Sequence, residues 1–122
     1  MNILIVEDET LYGNVLEFIC HSFGLDSQTI QVMVATSLAK SDEIRRTFVP
    51  DLVFSDMDLP DGNGISRFEE MRKQNPKVLI CLLTGNLIKP EDHGADYFFF
   101  KNNFNAQKAV EVLRNSQSRQ EK

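Results

Sequence analysis

Short apolar runs alternate with amphipathic stretches along this chain, and the period of each stretch predicts an element. Ile3-Leu4-Ile5-Val6 is an unbroken apolar run that predicts a first strand, ending in Glu7-Asp8-Glu9. Leu11, Val15, Phe18, Ile19 and Phe23 recur at helical spacing, and Gly24 suits the position just past a helix end. Ile30, Val32 and Val34 alternate with their neighbours as an edge strand does. A weaker helical stretch, Leu38 to Val49, stops at Pro50. Leu52-Val53-Phe54 predicts a buried strand running into Ser55-Asp56, and the segment 59–64 after it is dense with turn residues. Ile65, Phe68 and Met71 mark a third helix, ended by Asn75-Pro76. Val78 to Leu83 and Tyr97 to Phe100 predict a fourth and a fifth strand. Ala106, Ala109, Val110 and Leu113 form the last helical stripe, with Asn105 as its N-cap, and residues 116–122 are expected to fray.

Strands without polar interruption are covered on both faces, which predicts a parallel α/β sheet. The 122 residues suffice for one domain with a core of its own, and no repeat or linker divides residues 1–122. The net charge of −5 argues against a broad nucleic-acid footprint, so no direct nucleic-acid binding is expected. No apolar run approaches the roughly 20 residues of a membrane span. Met1 leads straight into the first strand without a basic leader, against a secretory signal. Cys20 and Cys81 lie in apolar stretches without metal spacing and read as buried, reduced thiols of a cytoplasmic protein. His21 and His93 have no base, nucleophile or ligand nearby in the sequence and read as surface residues.

In a parallel α/β sheet the functional site lies beyond the carboxyl ends of the strands. Glu7-Asp8, Asp56, Thr84-Gly85 and Lys101 occupy four such ends. Two carboxylates about 5 Å apart repel by roughly 3 kcal/mol at an effective dielectric near 20. Glu7, Asp8 and Asp56 together therefore call for a cation, and an oxygen-only ligand set suits a magnesium ion (Mg²⁺) better than zinc or copper. Glu9 reads as an acid at a helix entry, and Asp61 and Gly62 as turn residues.

Four motifs resemble, in order and at compatible spacing, those of response-regulator receiver domains of two-component signalling. They are Ile3 to Glu9, Asp51 to Pro60 with Gly64 beyond it, Leu83-Thr84-Gly85, and Gly94-Ala95 followed by Lys101. The resemblance covers essentially the whole chain. It implies a flavodoxin-like, doubly wound five-stranded sheet of order 2-1-3-4-5. It implies that Asp56 is the phosphoacceptor, that Asp8, Asp56 and the Asp58 backbone carbonyl bind Mg²⁺, and that Glu7 holds the ion through water. Thr84 is then the switch hydroxyl, Lys101 the ammonium that contacts the phosphoryl group, and Phe98 the switch aromatic.

The chain departs from the family pattern in four ways. Glu7 stands where an aspartate is usual, and Asn102 follows Lys101 where a proline is usual. Asp58 and Asn86 flank the route of hydrolytic water in the family and would tune the lifetime of the phosphoryl group. Only residues 85–93 separate Thr84 from Gly94, so the fourth helix is expected to be absent or vestigial, leaving aromatic residues of the fifth strand uncovered. The implied function is a stand-alone phosphoacceptor in a phosphorelay, receiving from a histidine kinase or phosphotransfer protein and switching protein–protein contacts. Such a protein is no enzyme beyond its own phosphorylation and dephosphorylation. Its expected contacts include an unidentified downstream target and a homodimer through the edge formed by strand four, strand five and helix five. The rival readings are a phosphorylation-independent binding or dimerisation module of the same fold and, more remotely, a Mg²⁺-dependent phosphatase.

Overall fold

The computed structural model describes residues 1–24, 29–85 and 94–120. Five parallel strands form the main sheet: β1 (Asn2–Val6), β2 (Gln31–Ala35), β3 (Leu52–Asp56), β6 (Leu79–Thr84) and β7 (Tyr97–Phe100). Their order is β2-β1-β3-β6-β7, the predicted 2-1-3-4-5 arrangement. Two further strands, β4 (Asp58–Leu59) and β5 (Gly62–Asn63), make a small antiparallel hairpin inside the turn-rich segment. The helices are α1 (Thr10–Gly24), α2 (Leu38–Ile44), α3 (Phe68–Gln74) and α4 (Ala106–Gln120). The helix expected to be absent or vestigial between the fourth and fifth strands of the main sheet falls at residues 86–93, outside the described residues.

Alternation along the strands sorts the core into two layers. Leu4, Val6, Val53, Ile80 and Leu82 face α2 and α3, meeting Leu38, Ile44, Phe68 and Met71. Ile3, Ile5, Leu52, Phe54, Cys81 and Leu83 face α1 and α4, meeting Leu16, Cys20, Val112 and Leu113. Burial on both sides explains why β1, β3 and β6 read as continuous apolar runs, whereas edge strand β2 alternates between exposed and part-buried positions.

Three helices differ from their sequence pattern. On α1 the buried residues are Gly13, Leu16 and Cys20, while Leu11, Val15 and Phe18 stand 79%, 52% and 72% exposed. The helix is apolar on two faces, and the face carrying small Gly13 is the one set against the sheet, close to Glu7 and Val34. Helix α2 ends at Ile44, short of Val49, and passes into a tighter turn in which the Arg46 and Thr47 amides bond three residues back, to the Glu43 and Ile44 carbonyls. Helix α4 continues to Gln120 where the chain was expected to fray. Its buried stripe is Ala109, Val112, Leu113 and Ser116, and Arg119 Nε donates to the Lys77 carbonyl at 2.8 Å, tying the last turn down.

Caps set where the helices begin. Asn105 Oδ1 accepts from the Lys108 amide at 2.9 Å, the predicted N-cap. Ser37 Oγ accepts from the Lys40 amide, and the Asp61 carboxylate reaches back from the β4–β5 hairpin to accept from the amides of Leu38 (2.8 Å) and Ala39 (2.9 Å). Asp61 is thus more than a turn residue, since it ties the loop after β3 to the start of α2. These two backbone donors hold its carboxyl below the usual carboxylate range.

Candidate functional site

The carboxyl ends of β1, β3, β6 and β7 open onto a cleft of about 300 Å³ lined by Asp8, Glu9, Asp56, Asp58, Gly85 and Lys101. Glu7 and Asp8 follow β1 directly, Asp56 is the last residue of β3, and Lys101 follows β7 in a 3₁₀ turn. Parallel pairing in register brings these strand ends to one edge. Carboxylate oxygens of Glu7, Asp8 and Asp56 lie within 4.8 Å of one another. Glu7 and Asp56 are buried and Asp8 is exposed.

One ammonium faces this acid group. Lys101 Nζ donates to Asp56 Oδ2 at 3.1 Å and to Glu9 Oε1 at 3.1 Å, and it lies 2.7 Å from Glu7 Oε1. The last contact is an ion pair without hydrogen-bond alignment, so buried Glu7 Oε1 accepts no hydrogen bond. Glu7 Oε2 accepts the Glu9 amide at 3.1 Å, and Asp56 Oδ1 accepts the Asp58 amide at 3.2 Å. Burial, helped by the Asp56 charge, pushes the Glu7 carboxyl up to about 7, against the downward pull of Lys101 and the Glu9 amide. Burial alone would lower the Lys101 pKa, but Glu7 and Asp56 outweigh it and the ammonium is held above its ordinary value.

The backbone beneath Asp56 is shaped by Gly64. Its amide donates to the Met57 carbonyl at 2.8 Å, and a Cβ there would collide with the Asp56 carbonyl oxygen and, at 2.7 Å, with the Ser55 hydroxyl. Only a residue without a side chain lets the β4–β5 hairpin close this tightly behind the acid.

Glu7, Asp8, Asp56 and Lys101 therefore converge from three strand ends, and Asp58, singled out by the resemblance, lines the same cleft. Thr84 ends β6 fully buried, and the cleft wall is formed by its neighbour Gly85. Phe98 lies on the α2–α3 side of the sheet, edge-on to Phe100 with ring centroids 5.2 Å apart. The Lys101–Asn102 peptide is trans, as are all the others described. Sequence reading missed Glu9, which looks like a helix-entry acid until its carboxylate is seen on Lys101. It also missed Tyr12, whose ring centroid lies 4.8 Å from Lys101 Nζ.

A parallel α/β sheet here gathers an acid cluster and one lysine at its carboxyl edge. The chain belongs to the response regulator receiver domain family, whose model matches residues 3–114. It is 37% identical over 84 residues to the aerobic respiration control protein ArcA of Escherichia coli K12, covering 69% of this chain and 33% of that protein. It is 31% identical over 104 residues to the KDP operon transcriptional regulatory protein KdpE of the same organism, covering 82% of this chain and 44% of that one. The chain thus spans less than half the length of these curated relatives. Among solved structures, a CheY-like receiver domain protein from Methanospirillum hungatei superposes with a TM-score of 0.81 at 22% identity, covering 98% of this chain and 96% of that one. A two-component response regulator from Clostridium difficile superposes at 0.84 and 17% identity, covering 100% and 99%. These likenesses establish the shared fold.

Proposed function

We propose that this domain is the phosphoacceptor of a two-component phosphorelay, with Asp56 taking a phosphoryl group from a histidine kinase or a phosphotransfer protein. The observation that carries this reading is the meeting of Glu7, Asp8, Asp56 and Lys101 at one cleft in a chain of the receiver family. An Asp56 carboxylate oxygen attacks phosphorus in line with the phosphorus–nitrogen bond of a phosphohistidine. That bond breaks, its electron pair stays with the imidazole, and an acyl phosphate forms. Such transfer needs positioning and charge neutralisation more than acid–base chemistry. The oxygen-only donors of Asp8, Asp56 and the Asp58 carbonyl, with Glu7 acting through water, fit Mg²⁺. Bound Mg²⁺ supplies neutralisation of the phosphoryl oxygens.

Lys101 supplies the remaining positive charge from the protein. Thr84 and Lys101 gain new oxygen partners once Asp56 is modified, and contacts present in only one state bias a two-state element, with Phe98 as its reporter. The donor has to present its phosphohistidine at the cleft. Exposed Leu11, Val15 and Phe18 follow the acids on α1, an apolar face suited to docking it. Self-association along the β6–β7–α4 edge and a cytoplasmic location belong to the same reading. Among the described residues, no helix is long and apolar enough to cross a membrane.

Incubation with acetyl phosphate and Mg²⁺, followed by intact-mass measurement, tests the proposal. The expected result is a gain of one phosphoryl group, abolished by Asp56→Asn. No gain in the unsubstituted chain, or an equal gain in the variant, overturns it. Partner binding that persists in Asp56→Asn, together with no gain in the unsubstituted chain, would select the phosphorylation-independent module instead.

A further inference from the structure

Lys101 is held by more groups than the cleft chemistry alone requires. Its contacts with Glu7 and Asp56 belong to the acid cluster. Glu9 and Tyr12 come instead from the entry and first turn of α1, and both reach the same ammonium, Glu9 Oε1 at 3.1 Å and the Tyr12 ring centroid at 4.8 Å. The Glu9 side chain is 63% exposed, while those of Lys101 and Asp56 are 12% and 7% exposed. An exposed ion pair adds little to stability on its own. Here the ammonium end is already pinned by two nearly buried carboxylates, so the pair matters through where it fixes Nζ.

Lysine is a point charge on a flexible four-carbon stem, with three donors that rotate freely. The backbone at Lys101 is a short 3₁₀ turn. Placement of the ammonium therefore falls to its side-chain partners. Asp56 and Glu9 each accept an aligned hydrogen bond, and Glu7 attracts the charge without alignment. The π face of Tyr12 attracts it from a fourth direction. Tyr12 Oη is buried and makes no hydrogen bond, so what this residue presents to its surroundings is the ring.

We propose that Glu9 and Tyr12 are positioning residues that clamp the Lys101 ammonium over the cleft, Glu9 by accepting one of its protons and Tyr12 by holding the charge against its ring. The functional consequence rests on the reading of Asp56 as phosphoacceptor. A clamped ammonium meets the incoming phosphoryl oxygens without having to reorganise, so the clamp acts on the rate at saturating phosphodonor more than on phosphodonor affinity.

The test uses the full chain with four substitutions: Glu9→Ala, Glu9→Gln, Tyr12→Leu and Tyr12→Phe. The first readout needs neither metal nor phosphodonor. It is the exchange of the Lys101 ammonium protons with water, followed by NMR on chain labelled with ¹⁵N-lysine. Glu9→Ala, which loses one aligned hydrogen bond, is expected to speed this exchange about five-fold, and Tyr12→Leu, which loses the ring contact, by a similar factor of a few. Glu9→Gln keeps an acceptor oxygen and Tyr12→Phe keeps the ring, and both should stay near the unsubstituted rate. The second readout, phosphorylation of Asp56 from acetyl phosphate with Mg²⁺, should rank the variants in the same order, with the maximal rate falling and the half-saturating concentration little changed. The proposal is overturned if Glu9→Ala leaves exchange unchanged, or if Glu9→Gln is as disruptive as Glu9→Ala, which would reduce Glu9 to a bulk charge. Glu9 is exposed, so its two variants decide the matter even if Tyr12→Leu unfolds. A chain that takes no phosphoryl group at all defeats the assignment of Asp56, while the exchange measurement still judges the clamp.

Discussion

Glu7 sits in a sharp electrostatic conflict. It is almost fully buried at 2% exposure and beside Asp56, and its carboxyl rises from 4.5 to about 7. Between those values the folded chain holds a proton that the unfolded chain has released, so stability contributed by this site falls as pH rises through the window. A rise of that size corresponds to roughly 3 kcal/mol. Glu7→Gln cannot ionise, and its stability relative to the unsubstituted chain is expected to climb from pH 5 to pH 7.5 by an amount approaching that figure, then level off. Urea unfolding of both chains in metal-free buffer measures it. A constant gap across the range would mean that Lys101 fully compensates Glu7. Single residues also mark the reach of sequence reasoning. Asp8, Asp56 and Lys101 were legible because each stands at a strand end. Glu9 and Asp61 were not, because their partners lie 92 and 22–23 residues away, and an acid before a helix or in a turn has an ordinary local explanation.

Helix α1 shows how an element can be identified from its period while its buried face is only partly assigned. Of the predicted stripe, Ile19 and Phe23 pack against the core while Leu11, Val15 and Phe18 are exposed, and Leu16 and Cys20, left out of it, are buried, because hydrophobic period alone does not choose among several apolar positions. The choice falls to the tertiary contacts, which set Leu16 and Cys20 into the core beside Ile3, Ile5 and Phe54. Leu16→Ala is therefore expected to cost about 2–5 kcal/mol in denaturant unfolding, as a buried leucine does. Phe18→Ala should shift stability by no more than about 0.5 kcal/mol despite removing the larger side chain. Equal losses would return Phe18 to the core. Helix α4 teaches the complementary lesson. Ser116 and Arg119 looked like the start of a polar tail, yet Ser116 is fully buried and Arg119 is held by a carbonyl of the segment before β6. Length in a helix that docks on a sheet is decided by what it meets.

The whole molecule gathers negative charge at one sheet edge and leaves it incompletely neutralised, with Lys101 as the cation in contact with Glu7, Glu9 and Asp56. A divalent ion that binds the folded chain alone must then stabilise it, by about 2.7 kcal/mol at a concentration one hundred times its Kd. Mg²⁺ titrated into metal-free protein is expected to raise Tm, and Asp8→Asn to reduce that rise; an unchanged Tm at millimolar Mg²⁺ would remove the metal from the proposed function. The parallel α/β sheet and the strand-end acids were determined by the sequence pattern itself, while the doubly wound order followed only from the family resemblance. Apolar period and turn residues are local properties, and a parallel sheet brings its strand ends to one edge whatever covers its faces. Which face of α1 is buried, how far α4 runs and which side chains reach Lys101 were decided only by the tertiary structure. Each of these depends on the distance between residues far apart in the chain, and local pattern carries no information about that distance.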